Sequence, residues 1–147
     1  MKPTETIDYH IKILWHSISN LYNQIAQEFD LTQATGYALL NIDSKEGVHA
    51  TKIAPLMGMK ATSLSRMLKK MEDEGLIYKE KDVSDGRSVK IHLTKTGEAK
   101  KKIARKVVRE FNEYLLTKLD RNTLEQYFKA MRSINKVTEE YKNLKLV

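Results

Sequence analysis

The sequence predicts a mainly α-helical fold with a small β-wing, a winged helix-turn-helix with further helices at both ends. Three observations carry that expectation. Two short helical patterns, residues 51–58 and 61–75, follow one another closely. A basic hairpin pattern runs from residue 76 to residue 94 directly behind them. Outside this block, apolar residues recur at steps of three and four through both ends of the chain, the spacing of one helix face.

The first helical pattern carries Ile7, Ile11, Leu14, Ile18, Leu21, Ile25 and Phe29, an extended apolar stripe that is long for a small core. The next, residues 31–44, begins at Thr32 as an N-cap and is expected to pack through Tyr37, Leu40 and Leu39 beneath the reading head. Residues 45–50 read as a connecting loop bent at Gly47, leading to Thr51 as the cap of the following helix. Pro55 sits within the first turns of that helix or ends it early.

The pattern over residues 61–74 is the most informative. Leu64, Met67, Leu68 and Met71 form one apolar stripe, expected in the core. The other side carries Thr62, Ser63, Ser65, Arg66, Lys69 and Lys70. Short hydroxyls near the start and cations further along suit base edges and phosphates respectively. Gly75 follows as a left-handed C-cap.

In the hairpin, Val89, Ile91 and Leu93 point one way while Lys90 and His92 point the other, as a half-buried strand requires. Asp85-Gly86 is the turn signal. Arg87, beside it, is placed to enter a minor groove or clamp a phosphate, or to stiffen the wing through a salt bridge to Asp82 or Asp85, and the two roles are compatible. Thr94 then caps a helical pattern through Ile103, Val107, Phe111, Tyr114, Leu115 and Leu119. Residues 120–123 break it, and Thr123 caps a last helix with Leu124, Tyr127, Phe128, Met131, Ile134 and Val137 before a polar tail from Glu139 to Val147.

One domain is the expectation for 147 residues, with residues 31–94 as the winged helix-turn-helix lobe and residues 1–30 and 95–147 as a helical dimerisation region. The terminal helices carry more apolar area than such a lobe can cover, and a second copy is its simplest partner. A monomer with a larger helical cap is the alternative. Net charge is +7, which favours polyanionic partners without requiring them. No apolar run approaches the roughly 20 residues of a membrane span, and residues 1–5 lack the apolar stretch of a secretory signal, so a soluble, cytoplasmic protein without a membrane partner is expected. The chain has no cysteine, which removes disulfides, thiolate metal sites and thiol-based sensing.

Taken together, these motifs resemble the MarR family of transcriptional regulators over nearly the whole chain. The resemblance rests on Leu31-Thr32, Gly47, Ile53-Ala54, Ser63-Leu64-Ser65-Arg66, Leu68, Glu72, Gly75-Leu76-Ile77, Asp82 with Asp85-Gly86-Arg87, and Leu93-Thr94 with Gly97. It implies a homodimer that binds a pseudo-palindromic double-stranded DNA operator, usually as a repressor. Thr62, Ser63, Ser65, Arg66 and Lys69 would face the major groove and Arg87 the minor groove. Many members carry Arg between the two wing aspartates where this chain has Ser84, a departure that weakens wing contacts unless Lys81 and Lys90 compensate. Small aromatic or anionic effectors of the family bind between the dimer helices and the DNA-binding lobe, which makes Tyr9, His10, Trp15, His16, Tyr22 and Tyr37 candidate pocket residues, with ordinary core or interface roles as the competing reading.

Other chemistries find little support. His10 and His16 do not share a helix face, and His49 and His92 lie in a loop and a strand without a liganding pattern, so no metal or other cofactor is expected. Glu72-Asp73-Glu74 reads as a solvated helix end. Lys100, Lys101 and Lys102 with Arg105, Lys106 and Arg109 read either as a solvated face or as a track for phosphates outside the operator core. Gly-rich phosphate loops and nucleophile contexts are absent, so no enzyme is expected. The function expected is that of a ligand-responsive DNA-binding regulator. A winged-helix module whose basic face recognises an acidic protein is the second reading, separable by the salt dependence of duplex binding.

Overall fold

Oxygen-bearing side chains open three of the helices by taking an orphan amide of the first turn, as N-caps do. In the computed structural model, which describes residues 1–84 and 88–146, Thr6 accepts from the Tyr9 amide at the start of α1 (Ile7–Gln27). Thr32 accepts from the Thr35 amide at α2 (Gln33–Leu40). Asp120 does so from the Thr123 amide at α6 (Arg121–Lys145). The remaining elements are a 3-10 turn (Pro3–Glu5), α3 (Ala50–Met57), α4 (Ala61–Asp73), α5 (Lys95–Lys118) and the strands β1 (Val48–His49), β2 (Ile77–Lys81) and β3 (Val89–Leu93).

The expected architecture of helices with a small antiparallel wing is present, with differences at several boundaries. Residues 45–50 are more than a loop: Val48 and His49 pair with Ile91 and Lys90 to form a third strand, giving the sheet order β1-β3-β2. That pairing extends the chain up to His49, so α3 starts at Ala50 with His49 in the cap position, and Thr51 lies inside the helix. Pro55 also lies inside α3, which ends where Gly58 turns left-handed at φ 61°. The second helix stops at Leu40, not at residue 44, because the Asp43 carboxylate gathers the amides of Lys45 and Glu46 into a turn, at 2.8 and 2.7 Å. Within α2 the packing falls to Ala38 and Leu39, both fully buried, while Tyr37 remains 43% exposed. At the C-terminus, Asp120 rather than Thr123 is the cap, since its carboxylate takes both the amide and the hydroxyl of Thr123. The expected polar tail is helical as far as Lys145.

The chain divides into two units, residues 1–108 and 109–147. In the first, β3 is the central strand, and Ile91 lies buried with Leu39, Ile42, Ile53, Leu64, Leu68, Met71 and Ile77. Side chains from α2, α3, α4 and the sheet thus close one core, and α4 joins it through the stripe its sequence predicts. Gly47 adopts φ 67°, and a side chain there would run into the Ile91 carbonyl and the His92 ring. In the second unit, none of the described residues is buried. Tyr114, Leu116, Tyr127, Phe128, Val137 and Tyr141 are all exposed there. No helix among the described residues is long and apolar enough to cross a membrane.

Candidate nucleic-acid interface

The buried stripe of α4 fixes which side of the helix faces outward. Leu64, Leu68 and Met71 are buried and Met67 is half-buried, while Thr62, Ser63, Ser65, Arg66, Lys69 and Lys70 are all exposed. Six side chains able to donate hydrogen bonds therefore share one surface. They are not equally free. The Ser65 hydroxyl donates to the Ala61 carbonyl of its own helix at 2.9 Å, and Lys70 pairs loosely with Glu74 at 3.8 Å. Arg66 and Lys69 have no hydrogen bond or ion pair among the described residues, so neither must abandon a protein partner to meet an anion. The acidic end of α4 is partly neutralised, because Glu72 meets Lys79 of β2 at 3.2 Å.

The wing rises from a stem with unequal chemistry on its two sides. Cross-strand register sets Tyr78 against His92 and Glu80 against Lys90, and the Tyr78 and His92 rings stack with centroids 5.2 Å apart. His92 Nε2 lies 3.2 Å from Glu80 Oε2, but out of line for a hydrogen bond, so this buried nitrogen has no hydrogen-bond partner among the described residues. Lys81 is exposed at the end of β2 and Lys90 is half-buried in β3. At the top of the stem the Asp82 amide donates to the Ser88 carbonyl at 2.9 Å. The hydroxyl and the amide of Ser84 bond to Asp82 and hold its carboxyl below the ordinary value, with the charges of His49 and Lys90 acting the same way. His49 joins both sides of the stem, its Nδ1 2.7 Å from the Ser88 hydroxyl and its Nε2 3.6 Å from Asp82. The Asp85-Gly86 turn and Arg87 lie outside the described residues, so Arg87 has no structural counterpart to its expected roles.

The six candidate pocket residues are not brought to one place. Tyr22 and Tyr37 border an apolar cleft of about 40 Å³ among α1, α2 and α5, with Phe29, Gly36, Ile103 and Val107. At that size it holds little more than a water molecule and must open to admit an aromatic ring. Trp15 and Tyr37 border a wider recess of about 480 Å³ with Pro55, Leu56 and Met59. Tyr9, His10 and His16 line neither. Tyr9 packs edge-on against His10, and His16 contacts Asn20 at 3.2 Å.

The basic run of α5 matches the solvated-face reading in part. Lys102, Arg105, Lys106 and Arg109 are exposed, but Lys101 is buried, donating to the Ile42 carbonyl and to Ser44 Oγ. Lys100 reaches the Phe29 carbonyl. Neither ammonium lies on a solvated face. The signal was in the spacing, since Lys101 falls four residues after Gly97 and three before Ala104, and all three are buried.

A family model for the MarR family matches residues 31–89, the segment that runs from the start of α2 through the wing. That segment is similar to the MarR family. Among proteins similar to this chain, the HTH-type transcriptional regulator SarZ of Staphylococcus aureus (strain USA300) is 32% identical over 95 residues, covering 63% of this chain and 64% of SarZ. The match thus spans slightly less than two thirds of that relative. Solved MarR-family folds superpose over far more of the chain. The S. aureus MepR–DNA complex covers 90% of this chain and 98% of MepR, with a TM-score of 0.83 at 22% identity. The transcriptional regulator SlyA covers 95% of this chain and 99% of its own, with a TM-score of 0.80 at 24% identity. At those identities they establish the fold.

Proposed function

We propose that this protein is a MarR-family, sequence-specific DNA-binding transcriptional regulator, acting in the cytoplasm as a homodimeric repressor of a pseudo-palindromic operator. The observation that carries the reading is the outward face of α4, where Thr62, Ser63, Ser65, Arg66, Lys69 and Lys70 are exposed opposite a buried stripe. Such a helix presents hydroxyls and a guanidinium to base edges and ammonium groups to phosphates. Arg87 and Lys90 of the wing extend the same contact. The fold shared with MepR in its DNA complex supports the assignment.

Residues 1–30 and 95–147 are proposed as the dimerisation region. Support comes from the second unit, whose apolar side chains include exposed Tyr127, Phe128 and Val137 and no buried residue among those described. A second copy would bury that area and hold two recognition helices about 34–36 Å apart, one helical turn of DNA. A small aromatic or anionic effector fits the same scheme if it binds between α2 and α5 and prefers one geometry of the dimer. Tyr22 and Tyr37 border that cleft.

Selection of binding sites from a randomised duplex pool at near-physiological salt tests the reading. The expected result is a pseudo-palindrome with half-sites about one turn apart, bound at least 10³-fold more tightly than scrambled DNA. Absence of any enriched sequence, together with weak duplex binding at every salt concentration, would reassign the winged helix to protein contacts.

A further inference from the structure

Burying an ammonium group away from water is costly, and a methionine would fill the same space without a charge. Lys101 is nonetheless 5% exposed and forms no ion pair with a carboxylate among the described residues. Its Nζ donates to the carbonyl of Ile42, just past the end of α2, and to Ser44 Oγ at 3.2 Å. Asp43 spends its carboxylate on the amides of Glu46 and Lys45, and the Lys101 charge only helps to hold that carboxyl low. The hydrogen bonds of Lys101 are to neutral acceptors, the Ile42 carbonyl and the Ser44 hydroxyl in the turn after α2. Lys100 donates to the carbonyl of Phe29, in the connector that follows α1 and leads to α2. Consecutive residues on a helix point about 100° apart, so the two lysines diverge, Lys100 to the connector before α2 and Lys101 to the turn after it.

We propose that Lys101 and Lys100 are positioning residues that set the angle at which α2 docks on α5 and, through α2 and α3, the placement of the recognition helix α4. This rests on the operator reading above. In a dimer joined through its terminal helices, the brace would fix the separation of the two recognition helices, and with it the half-site spacing that the protein accepts. Neither side chain touches DNA in this scheme; each acts through the helix that it holds.

The test uses the full-length protein and the selected operator, with versions in which one base pair is added or removed between the half-sites. The wild-type chain is expected to lose about tenfold or more in affinity on either change. Lys101→Met and Lys100→Met are each expected to bind the parent operator about tenfold more weakly and to lose less than about threefold on altered spacing. Their affinity for scrambled duplex and their salt slope should match wild type, because no phosphate contact is removed. A merely structural role would lower thermal stability and leave the spacing preference intact. Should Lys101→Met fail to fold, Lys100→Met at its half-buried position decides alone. Retention of wild-type spacing preference by the folded variants overturns the brace. A wild-type chain with no operator preference overturns the operator reading first and the brace with it.

Discussion

The Thr94 hydroxyl donates to the Gly75 carbonyl at 2.5 Å while accepting the Gly97 amide at 3.0 Å. One side chain thus caps the first turn of α5 and ties it to the turn that closes α4. The same junction is held by the Thr94 amide on the Leu76 carbonyl at 3.1 Å. Thr94→Val keeps the shape and removes both hydroxyl bonds. It should cost about 1–2 kcal/mol, the scale of a lost N-cap, read as a lower urea midpoint with an unchanged slope.

Gly97 is required by close approach, because a Cβ there would overlap the Leu76 carbonyl, and that backbone is pinned by Thr94. Gly97→Ala should destabilise by about 1–3 kcal/mol, as overpacking does. Gly36 serves as the contrast, since its added Cβ would sit 3.6 Å from the Ala104 side chain, an ordinary contact. Gly36→Ala should be neutral or stabilise by up to about 1 kcal/mol through helix propensity. Equal destabilisation by the two changes would contradict this packing.

On α4, Arg66 and Lys69 should separate by the way their loss appears. Arg66→Ala should weaken specific operator binding by about 1–3 kcal/mol and relax preference at one base position. Lys69→Ala should weaken all duplexes alike and reduce the salt slope by about one. Electrophoretic titrations of operator and scrambled DNA at several salt concentrations distinguish the two. Unchanged operator affinity in Arg66→Ala would remove that residue from the interface.

Sequence reasoning recovered α4 because two independent signals coincide there: an apolar stripe at helical period and a polar face of consistent chemistry. Caps at Thr6, Thr32 and Asp120 obey local rules, although the choice between Asp120 and Thr123, three residues apart, turned on which oxygen-bearing residue adopts extended backbone and accepts the first-turn amide. β1 escaped notice since two residues have no period, and their strand character comes wholly from pairing with β3. Tyr37 was expected inside because aromatic residues at helical spacing usually are, but Ala38 and Leu39 take that side of α2. The basic run of α5 misled for a different reason. Composition treats Lys100, Lys101 and Lys102 alike, whereas the helix sends the first to Phe29, the second into the interior and the third to solvent.

Acid should loosen the molecule at identifiable turns. The carboxyls of Asp43, Asp82 and Asp120 are held below 3.8 chiefly by hydrogen bonds, from the Glu46 amide, the Ser84 hydroxyl and the Thr123 hydroxyl respectively. A carboxyl with a lower pKa folded than unfolded contributes stability that is complete above the unfolded value, and that contribution is lost as pH falls through the folded one. Stability should therefore hold at pH 5 and decline as pH drops below about 4. Combined Asp43→Asn, Asp82→Asn and Asp120→Asn should flatten that decline in urea melts between pH 5 and 2.5. A profile parallel to wild type would show that these turns do not drive it.

β1 is only two residues long, and its last residue, His49, is also the cap of α3. No slack separates the sheet from the helix-turn-helix: a strand hydrogen-bonded to the wing passes into a helical turn without an intervening linker. Force applied at the wing therefore arrives at the base of α3 as a twist, as it would through a rigid crank. Under the proposed operator contacts, groove contact by the wing and base reading by α4 would be parts of one movement, and a single glycine inserted after His49 would give each its own freedom.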